Sequence, residues 1–236
     1  MAAMNDTIYQ IAVLIIPLVL AIVFHEVAHG WMARLLGDPT AYVMGRLSLN
    51  PIRHVDPIGT VFLPGALALA GLPVFGWAKP VPVDYRRLNN PKRDMAFVGA
   101  AGPAANLILA ALTAVGIGLL VRGSDMMAEP GAATLFLAEN LKNFLMVNLF
   151  LGVFNLLPLP PFDGSRILRG MLPNRGAAVM DRIEPIGIPL FFAVFVLLPL
   201  VFPGLHLVER IVMPPVSWLF EHYQALAALV AGAEPQ

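Results

Sequence analysis

The chain contains no cysteine. Disulfides and thiolate metal sites are therefore excluded, and any metal must be held by His, Asp, Glu or backbone oxygen. Charge is scarce as well. Only 13% of the 236 residues are Asp, Glu, Lys or Arg, against about 25% in an ordinary soluble domain. Such a chain cannot cover a water-facing surface. With 58% hydrophobic residues and a mean hydropathy of +0.76, it reads as a multi-pass membrane protein. The formal net charge of +0 leaves no basic footprint for nucleic acid. The first apolar run is not preceded by a basic segment or followed by a small-residue cleavage site, so it reads as a retained span.

What is present is a series of apolar runs with polar ends. Ile8 to Phe24 is almost pure hydrophobe, and the pattern continues to Leu36 before Gly37-Asp38-Pro39 ends it. Met95 to Val121 forms a second span and Ala132 to Leu157 a third, closing in the proline-rich "NLLPLPPFDGSRILRG". Ile186 to Val201 forms a fourth, and 205–232 reads as an interfacial helix. Residues 57–73 are apolar but short and broken by Pro64, Gly65 and Gly71, and 40–56 and 74–93 are mixed and turn-rich. The expected fold is an all-α polytopic bundle of about four to six membrane segments. A small β-containing, membrane-associated insertion is expected within residues 40–93. Two units are expected: a catalytic membrane core over 1–172, and a C-terminal span with an interfacial helix over 173–236.

Lys and Arg set the expected orientation. None precedes the first span, whereas Arg34, Arg46, Arg53, Lys79, Arg86, Arg87, Lys92 and Arg93 follow it, and Arg166, Arg169, Arg175 and Arg182 follow the third. The N-terminus is thus expected outside, with 34–93 and 158–183 on the cytoplasmic side. Residues 57–73 must then enter and leave on one face, as a re-entrant or interfacial hairpin. Backbone of that kind is tolerated at depth only under protein or beside a wet cavity.

At the polar end of the first run stands His25-Glu26-Val27-Ala28-His29. On a helix, the two histidines lie one turn apart on one face and can converge on one Zn²⁺. Glu26 beside them can take a proton from water, whose pKa zinc lowers to about 7. The bland alternative is a pair of histidines packed in a bundle. It loses weight because unpaired polar groups in a bilayer cost several kcal/mol each.

A catalytic zinc takes three protein ligands and keeps a fourth position open. Asp163, after the proline-rich turn and before Gly164, is the candidate third ligand; its alternative role is to N-cap the following helix. Asn155 can steady a substrate carbonyl or an oxyanion, or form an interhelical hydrogen bond. Asn106, in "GPAAN", reads as packing glue among small residues, with substrate contact as the functional alternative. His54, in "NPIRHVDP", either lines the site or is a solvated loop histidine. Residues 45–49 and 76–83 are candidate edge strands for clamping an unwound substrate segment, or simply a cap on the membrane domain. Pro80 and Pro82 suit an edge. Arg46 and Lys79, one in each segment, join His54 and Asn106 as candidate substrate-binding residues. His206 and His222 read as interfacial.

Taken together, HEVAH at the end of one span, GPAAN in the next and N-x-x-P-x-P-x-x-D-G closing a third resemble the site-2 protease family of intramembrane zinc metalloproteases. Here the last motif reads Phe162-Asp163-Gly164 where Leu-Asp-Gly is usual. The resemblance spans about residues 8–172. It implies that His25, His29 and Asp163 bind one Zn²⁺ per chain, that Glu26 is the general base, and that Asn155 positions substrate or stabilises the transition state. The stretch 41–93, with "NPIRHVDPIGT" and "GWAKPVPV", is similar to a branch without PDZ or CBS modules. The implied activity is hydrolysis of peptide bonds in or near transmembrane segments of membrane-anchored proteins, in the cell membrane, at a site inside the bilayer toward the cytoplasm. Oligomeric state is left open. The rival reading is a metal-binding transporter or channel, which would not require a base beside the metal.

Overall fold

In hydrocarbon every backbone polar group must be satisfied within its own segment, so the apolar runs fold as helices. The computed structural model describes residues 2–69, 76–123 and 131–232. Helix α1 covers Ala2–Leu35, α4 covers Pro91–Gly123 and α5 covers Ala132–Asn155. Between α1 and α4 lie the short α2 (Thr40–Val43) and α3 (Leu63–Leu69). After α5 come α6 (Asp163–Met171), α7 (Asn174–Ile183), α8 (Gly187–Phe192), α9 (Leu198–Val201) and α10 (Met213–Ala231).

Among the described residues, three helical runs are long and apolar enough to cross a membrane: Ile8–Leu35, Pro91–Gly123 and Asn174–Val201. Their outward faces carry large exposed side chains such as Ile11, Leu14, Ile108, Leu112, Ile188 and Leu197. An aqueous surface does not tolerate apolar area on that scale, whereas lipid does. Helix α5, expected as the third span, has the length. It is less apolar, since it carries Glu139, Lys142 and the asparagines 140, 143, 148 and 155. Several of these amides find backbone acceptors: Asn140 donates to Phe136 O at 2.8 Å and Asn143 donates across to Val13 O of α1 at 2.7 Å.

Helix α4 is the centre of the bundle. Ala110 and Ala114 on α4, Leu145 and Leu149 on α5, Val212 just before α10 and Val216 in its first turn form one buried cluster. The small residues permit this. A Cβ at Gly118 would run into the Ala227 carbonyl of α10, and one at Gly152 would press on Asn106. Close approach of backbones through small residues is how helices pack where lipid removes the hydrophobic drive between them. The tail helix α10 thus lies against α4, and Tyr223 donates to Leu107 O at 3.2 Å.

The expected β-containing insertion is not found. Among the described residues of 40–93 there is no strand, only short helical turns and extended chain. The polar groups that a ladder would use are taken by side chains. Arg46 donates to Lys79 O at 2.9 Å and to Pro80 O at 3.4 Å, while Glu26 accepts from Val81 N–H at 2.8 Å. Pro80 and Pro82 have no N–H to offer. The result is an extended strap, 76–84, tied at both ends. Lys79 N–H donates to His54 O at 2.8 Å, and Asp84 N–H to the buried Asp38 carboxylate at 2.6 Å. Part of the 57–73 segment lies outside the described residues. Its start and its sequel are nevertheless side by side: Trp77 N–H donates to Gly59 O at 3.0 Å, and Thr60 Oγ1 donates to Trp77 O at 2.8 Å.

Candidate active site

His25 and His29 project from one face of α1, one turn apart. Both are 5% exposed, as is Asp163. Each histidine donates its Nδ1–H away from the other. His29 Nδ1 bonds to Val98 O of α4 at 2.7 Å. A carbonyl only accepts, so His29 carries its proton on Nδ1 and presents a lone pair at Nε2. His25 Nδ1 bonds to Asn106 Oδ1 of α4 at 2.6 Å and turns its own Nε2 inward. The two Nε2 atoms are 3.0 Å apart.

Asp163 completes the triangle from α6. Its Oδ2 stands 3.1 Å from His25 Nε2 and 3.1 Å from His29 Nε2. Its Oδ1 accepts from Arg166 Nη1 at 3.2 Å, one turn along α6. The chain reaches this position by a tight turn after α5. Phe162 N–H bonds to Leu159 O at 3.0 Å, Ser165 Oγ donates to Phe162 O at 2.7 Å, and a Cβ at Gly164 would strike the Leu156 and Leu157 carbonyls. Phe162 is packed edge-on against Phe154 and Phe191. The capping role for Asp163 is not taken up. It is the first residue of α6, no side chain caps that helix, and the carboxylate faces the imidazoles.

With each imidazole protonated at Nδ1 alone, the three inward lone pairs repel one another, and a cation removes that repulsion. A tetrahedral ion about 2.0–2.2 Å from each of three ligands sets them about 3.3–3.6 Å apart. The observed triangle is within a few tenths of an ångström of this. Two imidazoles and a carboxylate are a donor set suited to zinc. These three residues are the one group of this kind among the described residues.

Gly99 and Gly102, three residues apart on α4, make the room. A Cβ at Gly99 would lie 3.1 Å from Asp163 O, and one at Gly102 would lie 2.6 Å from His25 Cε1 and closer still to His29 Nε2. The sequence marks this stretch only as small residues; the adjacency to both imidazoles is a feature of the fold. Glu26 is half-buried beside the pair, and the Val81 N–H of the strap holds its Oε2.

The remaining candidates are placed as follows. Asn106 is fully buried on His25. Arg46 and Lys79 meet through the Lys79 carbonyl, which fixes the strap. His54 is buried and bonds to Ser48 O at 2.7 Å, while its backbone carbonyl receives Lys79. Asn155 ends α5 and donates to Leu151 O of its own helix at 3.0 Å. His222 bonds to Trp218 O on the exposed side of α10.

Comparison with known proteins agrees with this geometry. A family model described as Peptidase family M50 matches residues 13–198. YwhC of Bacillus subtilis, named as a candidate zinc metalloprotease, is 41% identical over 187 residues, covering 78% of this chain and 80% of its own. Rip2 of Mycolicibacterium smegmatis, named likewise, is 32% identical over 146 residues, 61% of this chain and 51% of its own. The zinc metalloprotease MJ0392 of Methanocaldococcus jannaschii is 27% identical over 175 residues, 74% of this chain and 38% of its own. No solved structure matches the chain. With a family model matching from within α1 through α6 and beyond, and the three motifs meeting at one point, the chain belongs to peptidase family M50, the site-2 protease family of zinc metalloproteases.

Proposed function

We propose that the protein is an intramembrane zinc endopeptidase, with His25, His29 and Asp163 as zinc ligands and Glu26 as general base. The observation that carries this reading is the buried triangle of two Nε2 atoms and one carboxylate oxygen, with edges of 3.0–3.1 Å, beside a glutamate. Zinc supplies a Lewis acid that acidifies water and polarises the scissile carbonyl. The chain's own groups do the rest. The Val81 amide orients Glu26, which takes the proton of the attacking water and returns it to the leaving amide nitrogen. Asn155 stands at the end of α5, one tight turn from Asp163; released from Leu151 O, its amide can donate to the substrate carbonyl. The substrates are membrane-anchored proteins cut in or near their spans. The strap 76–84, with Arg46, Lys79 and His54 holding it, borders the path to Glu26. The core over 1–172 carries the chemistry, and 173–236 supports it.

The reading extends to topology. The positive charge of 34–93 and 158–183 favours the cytoplasmic side for both, and the pairing of Trp77 with Gly59 and Thr60 favours a segment that returns to the face it entered. A transport site needs no base beside its metal, so Glu26 separates the two functions. Glu26→Gln keeps shape and removes the base. In co-expression with single-span candidate substrates, this variant should retain zinc and lose at least 10²–10⁴-fold in cleavage rate. Cleavage near the wild-type rate would reject the role of Glu26, whereas a wild type that binds zinc and cleaves nothing would favour transport.

A further inference from the structure

Asn148, fully buried in α5, forms its hydrogen bonds with Asn106 and Phe144 O rather than with either histidine or Asp163, yet it is joined to the metal triangle by a directional chain. Asn148 Nδ2 donates to Phe144 O at 2.8 Å. Asn148 Oδ1 accepts from Asn106 Nδ2 at 2.8 Å. Asn106 Nδ2 also points toward Ala21 O at 3.4 Å, and its Oδ1 accepts from His25 Nδ1 at 2.6 Å.

The direction of this chain is forced from its far end. Phe144 O is a backbone carbonyl and can only accept, so Asn148 must present its NH₂ there and its oxygen to Asn106. Asn106 must then present its NH₂ to Asn148, which leaves its oxygen for His25. An oxygen there requires His25 to carry its proton on Nδ1, and so to offer the lone pair at Nε2. With either amide reversed, two donors or two acceptors would meet in a dry interior, at a cost of about 1–3 kcal/mol. We propose that Asn148 is a positioning residue for the zinc site, setting the orientation of Asn106 and through it the ligating tautomer of His25. Metal-bound histidines in general rely on an acceptor at the other ring nitrogen, and losing that partner typically costs 10–100-fold in metal affinity. Here the acceptor is an amide, which, unlike a carboxylate, can be turned the wrong way round. A second amide fixes it, through a bond shorter than the 3.4 Å contact of the same NH₂ with Ala21 O.

The proposal rests on His25 being a zinc ligand, and the test separates the two. Zinc affinity is measured by chelator competition on the purified full chain, with the visible spectrum of the Co²⁺-substituted protein as a report of ligand geometry. Asn148→Leu should weaken zinc by 10–100-fold and alter the Co²⁺ spectrum. Asn143→Leu is the matched control. Asn143 lies on the same helix and makes a comparable interhelical bond, to Val13 O at 2.7 Å, but is not joined to His25, so its zinc affinity should be unchanged. The decisive variant is Asn106→Asp in the Asn148→Leu background. A carboxylate has an acceptor on both sides and needs no orienting partner, so it should restore most of the lost affinity. Wild-type zinc affinity in Asn148→Leu, or failure of Asn106→Asp to restore it, would overturn the proposal. Equal losses in the two leucine variants would assign Asn148 to packing alone and overturn it as well. Unchanged zinc in His25→Ala would instead remove the ligand assignment on which the proposal stands.

Discussion

A single methyl group at position 102 would sit 2.6 Å from His25 Cε1 and even nearer to His29 Nε2. Gly102 therefore makes a sharp test at the scale of one residue. Alanine is the better helix former by about 1 kcal/mol, so Gly102→Ala should leave α4 intact while displacing both imidazoles. Zinc affinity should fall at least tenfold, a loss comparable with that of a missing ligand partner, with helical content unchanged by circular dichroism. Unaltered zinc binding in this variant would mean the imidazoles do not lie where the structure has them. At this scale the sequence is informative where chemistry is dense and silent where it depends on what faces what. HEVAH and Asp163-Gly164 are legible because ionisable groups beside apolar runs need a reason. Asn106 reads as packing from sequence, since nothing local says that its oxygen meets His25. Gly102 and Asn148 look like any glycine and any asparagine in a span. The available signal was the row of asparagines in α5, each expensive in hydrocarbon unless paired.

Among the elements, the strap 76–84 departs most from expectation. The alternation around Trp77 to Val83 has the look of a strand, and the chain there is extended. A strand also needs a partner backbone, and here a guanidinium and a carboxylate take the carbonyls and the amide first. Side-chain competition of this kind depends on tertiary placement, so periodicity alone misreads it. Arg46 is the element's main clamp. Arg46→Met keeps the apolar stem and removes the donors, so zinc content should stay at the wild-type level while the Val81 amide exchanges with deuterium faster. Unchanged protection at Val81 would show that the strap is held by other contacts. The helices, in contrast, were legible in kind and nearly in bounds. The apolar run Ala132 to Leu157 matches α5, Ala132–Asn155, to within two residues. Its four asparagines and two charges leave a helix that must be covered by its neighbours α1 and α4.

At the scale of the whole molecule, His29 and Asp163 can meet at 3.1 Å only if α1, α4 and α5 bring them to the same face of the membrane. A full crossing by 57–73 would separate them by a hydrocarbon core about 30 Å thick. The chain has no cysteine, so single cysteines can report topology without background. Probes at the exposed positions Arg86 and Arg175 should react only from the cytoplasmic side, and a probe at the exposed Arg122 only from the other. Labelling of position 86 from outside would contradict the re-entrant path.

The most direct test of the central claim joins metal to chemistry in one preparation. The purified chain, stripped of metal and placed in proteoliposomes with a labelled single-span peptide, is titrated with zinc while cleavage and bound metal are followed together. Cleavage by the wild type should rise with zinc and saturate at about one equivalent per chain. Glu26→Gln should bind the same equivalent and cut nothing, and His29→Ala should do neither. Cleavage that is indifferent to zinc, or that persists in Glu26→Gln, would contradict the account.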